Sequence, residues 1–175
     1  MAAAHLAAKK VRRAVGVATA DAWMIAIFAG LSFVCGLFSG VSGVVVGMAM
    51  AVIAWYEFDG AGRLRRLDPA APKRLGYNQL AFAGLIVAYA LWSLHSELAG
   101  GGFSQELEQY KEQLGDMEGL TRMLAYAVYG TLIAVAVLAQ GGTALYYFSR
   151  EKHVQAYVAA TPPWIIEMQR SGAAL

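Results

Sequence analysis

Six side chains stand where a hydrophobic chain makes polarity expensive: Asp21, Glu57, Asn78, Gln79, Gln140 and Thr143. Each borders or interrupts a run of residues that carries no charge. A polar or ionisable group inside lipid either finds a polar partner or marks a functional position. Carboxyl groups in that setting hold a proton or a small cation, and amides supply the hydrogen bonds that orient them, with Arg13 and Arg74 as available counter-charges. If the six meet at one depth, they form a polar cluster suited to a small ligand, a cation or a partner's helix. The plainer expectation is that Asp21 caps a helix and the amides bond between helices, at about 0.6 kcal/mol each.

Other chemistry is not written into the chain. His5, His95 and His153 are far apart, and no His/Cys/carboxylate spacing matches a zinc site. Phosphate loops, GxSxG elbows and dinucleotide fingerprints are missing. No enzyme, metal or cofactor is expected. Cys35 lies within an apolar run and reads as a small buried hydrophobe rather than half of a disulfide.

The elements that must position the six residues follow from composition. Of 175 residues, 58% are hydrophobic and 15% charged, and mean hydropathy is +0.47, whereas a soluble domain has about a quarter charged residues. A net charge of +2 gives no reason to expect nucleic acid. Residues 22–56, 75–96 and 123–149 are free of Asp, Glu, Lys and Arg, and each run reaches the roughly 20 residues that span a bilayer as a helix. The basic start, Lys9 to Arg13, leads into a run too long for a cleaved signal core.

As one helix, residues 22–56 would extend about 50 Å, well beyond the roughly 30 Å of hydrocarbon. The chain must turn, and Ser39-Gly40 is the natural place. The expectation is an all-α integral membrane bundle of four transmembrane helices, at about 21–38, 41–58, 75–94 and 122–149. The first two are short enough to require local thinning or snorkelling. On these bounds Asp21 starts helix 1, Glu57 ends helix 2, and Asn78 and Gln79 start helix 3. Residues 1–149 form the membrane domain and 150–175 a cytoplasmic amphipathic tail, with Val154, Tyr157 and Val158 on one face. Thr161-Pro162-Pro163 breaks the tail, and a short helix presents Trp164, Ile165 and Met168 to the membrane surface.

Basic residues set orientation, because cytoplasmic loops retain them. With four spans, Lys9, Lys10, Arg12, Arg13, Arg63, Arg65, Arg66, Lys73, Arg74, Arg150, Lys152 and Arg170 share one side, leaving Lys111 and Arg122 on the other. Both termini are therefore expected in the cytoplasm. Arg63, Arg65, Arg66, Lys73 and Arg74 are placed to contact anionic lipid, at about 1 kcal/mol each. The outer connection is acidic, and Phe103, Leu107, Tyr110, Leu114 and Met117 draw an apolar stripe, which predicts a short amphipathic outer helix capped by Ser104.

Gly36 and Gly40, like Gly43 and Gly47, have GxxxG spacing, and Gly141 and Gly142 lie in helix 4. Small residues four apart let helices approach closely. Packing within the chain is the first expectation; self-association, giving a homo-oligomer, is the second.

The segments Arg63-Leu64-Arg65-Arg66-Leu67-Asp68-Pro69, Leu75-Gly76-Tyr77-Asn78-Gln79-Leu80 and Tyr157 through Thr161-Pro162-Pro163-Trp164 resemble pieces of small uncharacterised bacterial four-helix inner-membrane proteins. The resemblance implies a bacterial inner-membrane setting and carries no activity. The sequence reading is thus a non-enzymatic membrane accessory or scaffolding protein that packs against itself or a membrane partner. The alternative is a small transporter or channel built on the polar cluster, although the outer halves of the spans lack the polar stripe of an open ion pathway.

Overall fold

The computed structural model of the chain describes residues 2–99 and 118–171. Five helices account for nearly all of them: α1 (Ala2–Ser39), α2 (Val41–Arg65), α3 (Ala71–Leu98), α4 (Glu118–Ala160) and α5 (Pro163–Arg170). The described residues contain no strand. Four helices are long and apolar enough to cross a bilayer, over Ala8–Phe38, Val41–Arg65, Ala71–Leu98 and Gly119–Ala160. Their apolar side chains are widely exposed, as at Phe28, Leu31, Trp92 and Leu138, the pattern of a bundle whose solvent is lipid. The expected outer helix at 103–117 lies outside the described residues.

Every span is longer than its uncharged run. α1 begins nineteen residues before Asp21, α2 continues to Arg65, α3 starts at Ala71, and α4 runs through 149 to Ala160. The expected bounds marked the ends of apolar sequence, but Ala, Lys and Arg are good helix formers and the helices continue past those ends. At 1.5 Å per residue, α1 is about 57 Å long and α4 about 65 Å, roughly twice the hydrocarbon thickness. Residues 150–160 belong to α4 rather than to a separate tail.

The described residues divide into two compact units, Met1–Phe82 with Gly142–Leu175, and Ala83–Gly141. In the first, the buried face of α1 recurs as Val11, Ala14, Ala18, Ala22, Ile25 and Ala29, and that of α2 as Gly47, Met50, Ala54, Glu57, Ala61 and Leu64. Steps of three and four residues make a seam like that of a coiled coil. The core at the charged end joins Val11, Ala14 and Ala18 to Leu64, Leu67, Leu75, Tyr147, Val154 and Ile166. There Lys10 Nζ lies 3.1 Å from His153 Nε2. In the second unit the buried residues Ala90, Ala125 and Ala136 are all small.

The turn between α1 and α2 falls at Gly40, whose φ of 128° excludes ordinary side chains. Beyond it the helix backbones nearly touch. A Cβ at Gly43 would stand 2.7 Å from Gly36 Cα, and one at Gly47 would stand 2.6 Å from Phe33 N. Gly36, Gly43 and Gly47 therefore pack within the chain. Gly40 does not, since it serves the turn, and a Cβ at Gly141 or Gly142 meets nothing within 4 Å, so these three make no close approach within the chain. Two close approaches escaped the GxxxG spacing: Gly60 lies under the Leu75 side chain and Gly76 under the Phe148 ring.

α2 ends in a Schellman arrangement, with Asp68 N bonded to Arg63 O and Leu67 N to Leu64 O, both at 3.0 Å. Leu67 fills the left-handed position, at φ 60°, that glycine usually takes. Asp68 Oδ1 then accepts from Ala70 N at 2.9 Å, opening α3; Pro72 lies in its first turn, where proline is tolerated. α5 is tied back by Arg170 Nε donating to Arg66 O at 3.3 Å. Its Ile166 is buried in the core while Trp164 and Met168 are exposed, with Ile165 half-buried.

Candidate functional site

The seams carry polar residues to one place inside the first unit. Glu57 replaces an apolar residue in the α2 seam, about two turns before the helix ends, and is fully buried. Asn78 and Gln79 lie about two turns inside α3, and Gln79 is fully buried. Asp21 is half-buried in the middle of α1. It is not a helix cap, contrary to expectation, because α1 begins well upstream of it.

Glu57 is held by two donors. Asn78 Nδ2 gives hydrogen bonds to Glu57 Oε2 at 2.6 Å and to the Ile53 carbonyl oxygen at 3.1 Å. Tyr147 OH donates to Glu57 Oε1 at 3.0 Å. Gln79 Nε2 donates to Asp21 Oδ2, Gln79 also interacts with Glu57, and the Asp21 and Glu57 carboxyl groups interact electrostatically with each other. Gln79 Oε1 is buried without a hydrogen-bond partner. Each of the four spanning helices thus contributes to one cluster: Asp21 from α1, Glu57 from α2, Asn78 and Gln79 from α3, Tyr147 from α4.

Four of the six polar residues singled out from sequence meet here. Gln140 belongs to the second unit and is half-buried. Thr143 is half-buried on α4, four residues before Tyr147. Sequence reasoning did not single out Tyr147. The signal that could have found it is its spacing, three residues after Ala144 and seven before Val154, all buried on one face of α4.

The anionic-lipid candidates surround the α2–α3 connection. Arg65, Arg66, Lys73 and Arg74 are exposed, while Arg63 Nε forms a 2.6 Å ion pair with Asp59 Oδ2 one turn earlier. Near the end of α4, the Arg150 guanidinium lies over the Tyr146 ring, 4.2 Å from its centroid.

Chemically, the cluster is rich in oxygen and poor in positive charge. Among the described residues, no basic side chain bonds either carboxyl group, and no three His, Cys, Asp or Glu side chains group as a metal site. Two acids at close range repel unless a proton or cation lies between them. The arrangement suits binding of a small positive species and provides no nucleophile paired with a base. The chain matches no family model, no curated protein and no solved structure.

Proposed function

We propose that the protein is a small, non-enzymatic membrane transporter that takes up a positively charged solute at the Asp21–Glu57 cluster. The observation that carries this reading is two carboxyl groups from mid-helix positions of different spans, held together in a buried seam with amide and phenol partners and no basic one. Apolar residues in these seam positions would pack as well, so cohesion alone does not require acids there. The setting is a bacterial inner membrane with both termini in the cytoplasm. The basic α2–α3 connection contacts anionic lipid, and the cluster lies in the half of the spans nearer that connection.

The test is reconstitution of the purified chain into vesicles with cation flux followed by an entrapped indicator. Flux that is lost in Glu57→Gln and Asp21→Asn, both still folded, supports transport; absence of flux with every cation tried removes it. A second reading, a membrane accessory protein that packs against a membrane partner or another copy, is favoured by the absence of charge from residues 22–56, which leaves the outer half of the α1–α2 hairpin without a polar pathway. A stable partner recovered in mild detergent, together with no flux, would place this reading first.

A further inference from the structure

We propose that Tyr146 and Arg150 of α4, with added charge from Lys10 of α1, bind a phosphate ester group, that of an anionic phospholipid. The site is separate from the acid cluster and does not depend on transport. Two polar atoms carry it. Arg150 Nε and the Tyr146 hydroxyl are both buried without a hydrogen-bond partner, and unpaired buried donors are rare in folded chains. The two residues lie one turn apart, with the Arg150 guanidinium over the Tyr146 ring at 4.2 Å from its centroid. Stacking occupies the face of a guanidinium and leaves its in-plane N–H groups for an acceptor.

Charge points the same way. His153 continues the stripe, seven residues after Tyr146. The Ser149 carbonyl oxygen, 3.0 Å from His153 Nδ1, can only accept, so Nδ1 carries the proton and Nε2 accepts from the Lys10 ammonium at 3.1 Å. Lys10 is thereby drawn from α1 to the stripe that holds Arg150. Among the described residues no acid pairs with Lys10, His153 or Arg150; Glu151 accepts from Gln155 instead. What the stripe lacks is a negatively charged acceptor.

Depth identifies its source. Arg150 is the first charged residue after the run 123–149, and helix side chains lean toward the N-terminus, which brings the guanidinium back toward that run. Aromatic pairs stand at the same end of the spans, Trp23 with Phe58 and Tyr77 with Phe148, as in the belt at headgroup level. A guanidinium at that level meets lipid phosphates. A phosphate has oxygens enough for a guanidinium and a hydroxyl together, whereas a halide offers one centre and water no charge. Tyr146 and Arg150 are each half-buried, so protein walls the site on one side only.

The experiment uses the purified full-length chain in detergent. Native mass spectrometry counts retained phosphatidylglycerol against phosphatidylcholine of the same acyl chains, and melting is followed as each is titrated. The wild-type chain should retain one phosphatidylglycerol and bind phosphatidylcholine at least tenfold more weakly. Tyr146→Phe should weaken retention by about tenfold, the cost of one hydrogen bond to a charged group. Arg150→Lys keeps the charge but loses the planar donors, and Lys152→Gln removes a charge from an exposed position on the same helix. A built site makes Arg150→Lys the worse of the two; diffuse attraction to charge makes Lys152→Gln the worse and overturns the proposal. Equal retention of the two lipids by the wild-type chain overturns it without any variant, so a variant that misfolds does not decide the matter. Glycerol 3-phosphate is the last probe: no response to it assigns the phosphate to lipid, while a melting rise equal to that with phosphatidylglycerol keeps the site and makes its ligand a soluble ester.

Discussion

Adding one methyl group at Gly47 tests the α1–α2 seam. The Cβ of Gly47→Ala would lie 2.6 Å from Phe33 N, 2.8 Å from Phe33 Cα and 2.9 Å from the Ala29 carbonyl oxygen. All three neighbours are backbone, so no side chain can rotate away, and relief requires the helices to separate by roughly 0.5–0.8 Å to reach ordinary contact. A gap of that size forfeits about a quarter to a half of each dispersion contact along the seam. In lipid these contacts are the main cohesion, because tails are as apolar as the helix faces. The expected loss is about 1–3 kcal/mol, the usual scale of overpacking. On the soluble-protein scale for a chain of this length this lowers melting by about 2–12 °C, and Gly47→Ile should do more. The assay is thermal unfolding in detergent across a tenfold range of protein concentration, with light scattering for size. Gly142→Ala is the control, since its Cβ meets open space. Unchanged melting of Gly47→Ala would refute the seam. Smaller species with intact monomer melting would assign these glycines to contacts between chains.

Four further outcomes are expected. Tyr147→Phe removes one of the two donors to Glu57 and should cost about 1 kcal/mol by thermal unfolding, the usual value of a hydrogen bond. Gln140→Leu should leave stability nearly unchanged, because its amide lies outside the cluster and leucine suits lipid; its loss of cation flux would show that the functional site extends beyond the five residues. In a Cys35→Ala background, cysteine at Gln109 should be labelled from outside intact cells, while cysteines at Ala70 and Gln155 should not, and labelling of Ala70 would overturn the orientation. At the left-handed Leu67, Leu67→Gly should be less destabilising than Leu67→Ala in denaturant unfolding, since both lose a buried leucine but only glycine relieves about 1 kcal/mol of backbone cost.

Charge-free runs made the number of spans and the turn at Gly40 legible, because lipid tolerates neither charge nor an unsatisfied backbone. They misplaced the helix ends, because the cost of charge ends at the membrane surface while helix propensity does not. That error concealed the meaning of Asp21 and Glu57. A residue at the edge of an apolar run looks like a cap or a boundary, but the same residue two turns inside a helix on its buried stripe faces other helices. The seam itself was open to inspection: Gly47, Met50, Ala54, Glu57, Ala61 and Leu64 keep their three- and four-residue steps straight through the acid. Tyr147 was missed because a tyrosine among aromatics in an apolar run reads as an interfacial anchor, and only the partner on α2 distinguishes it.

The glycine seam and the polar cluster are also linked physically. Gly36, Gly43 and Gly47 bring α1 and α2 into backbone contact over several turns, and that alignment fixes which residues face each other further along the same pair. Asp21 and Glu57 lie on that continuation, toward the charged ends of the two helices. α3 then adds amides to both acids at once, Asn78 to Glu57 and Gln79 to Asp21, while Gly76 one turn earlier lets Phe148 close over it and Tyr147, the next residue, reach Glu57. Loss of a small residue at either place therefore changes not only cohesion but the distance between the two acids, and with it the fit of anything held between them. Stability and any cation flux should fall together in the glycine variants.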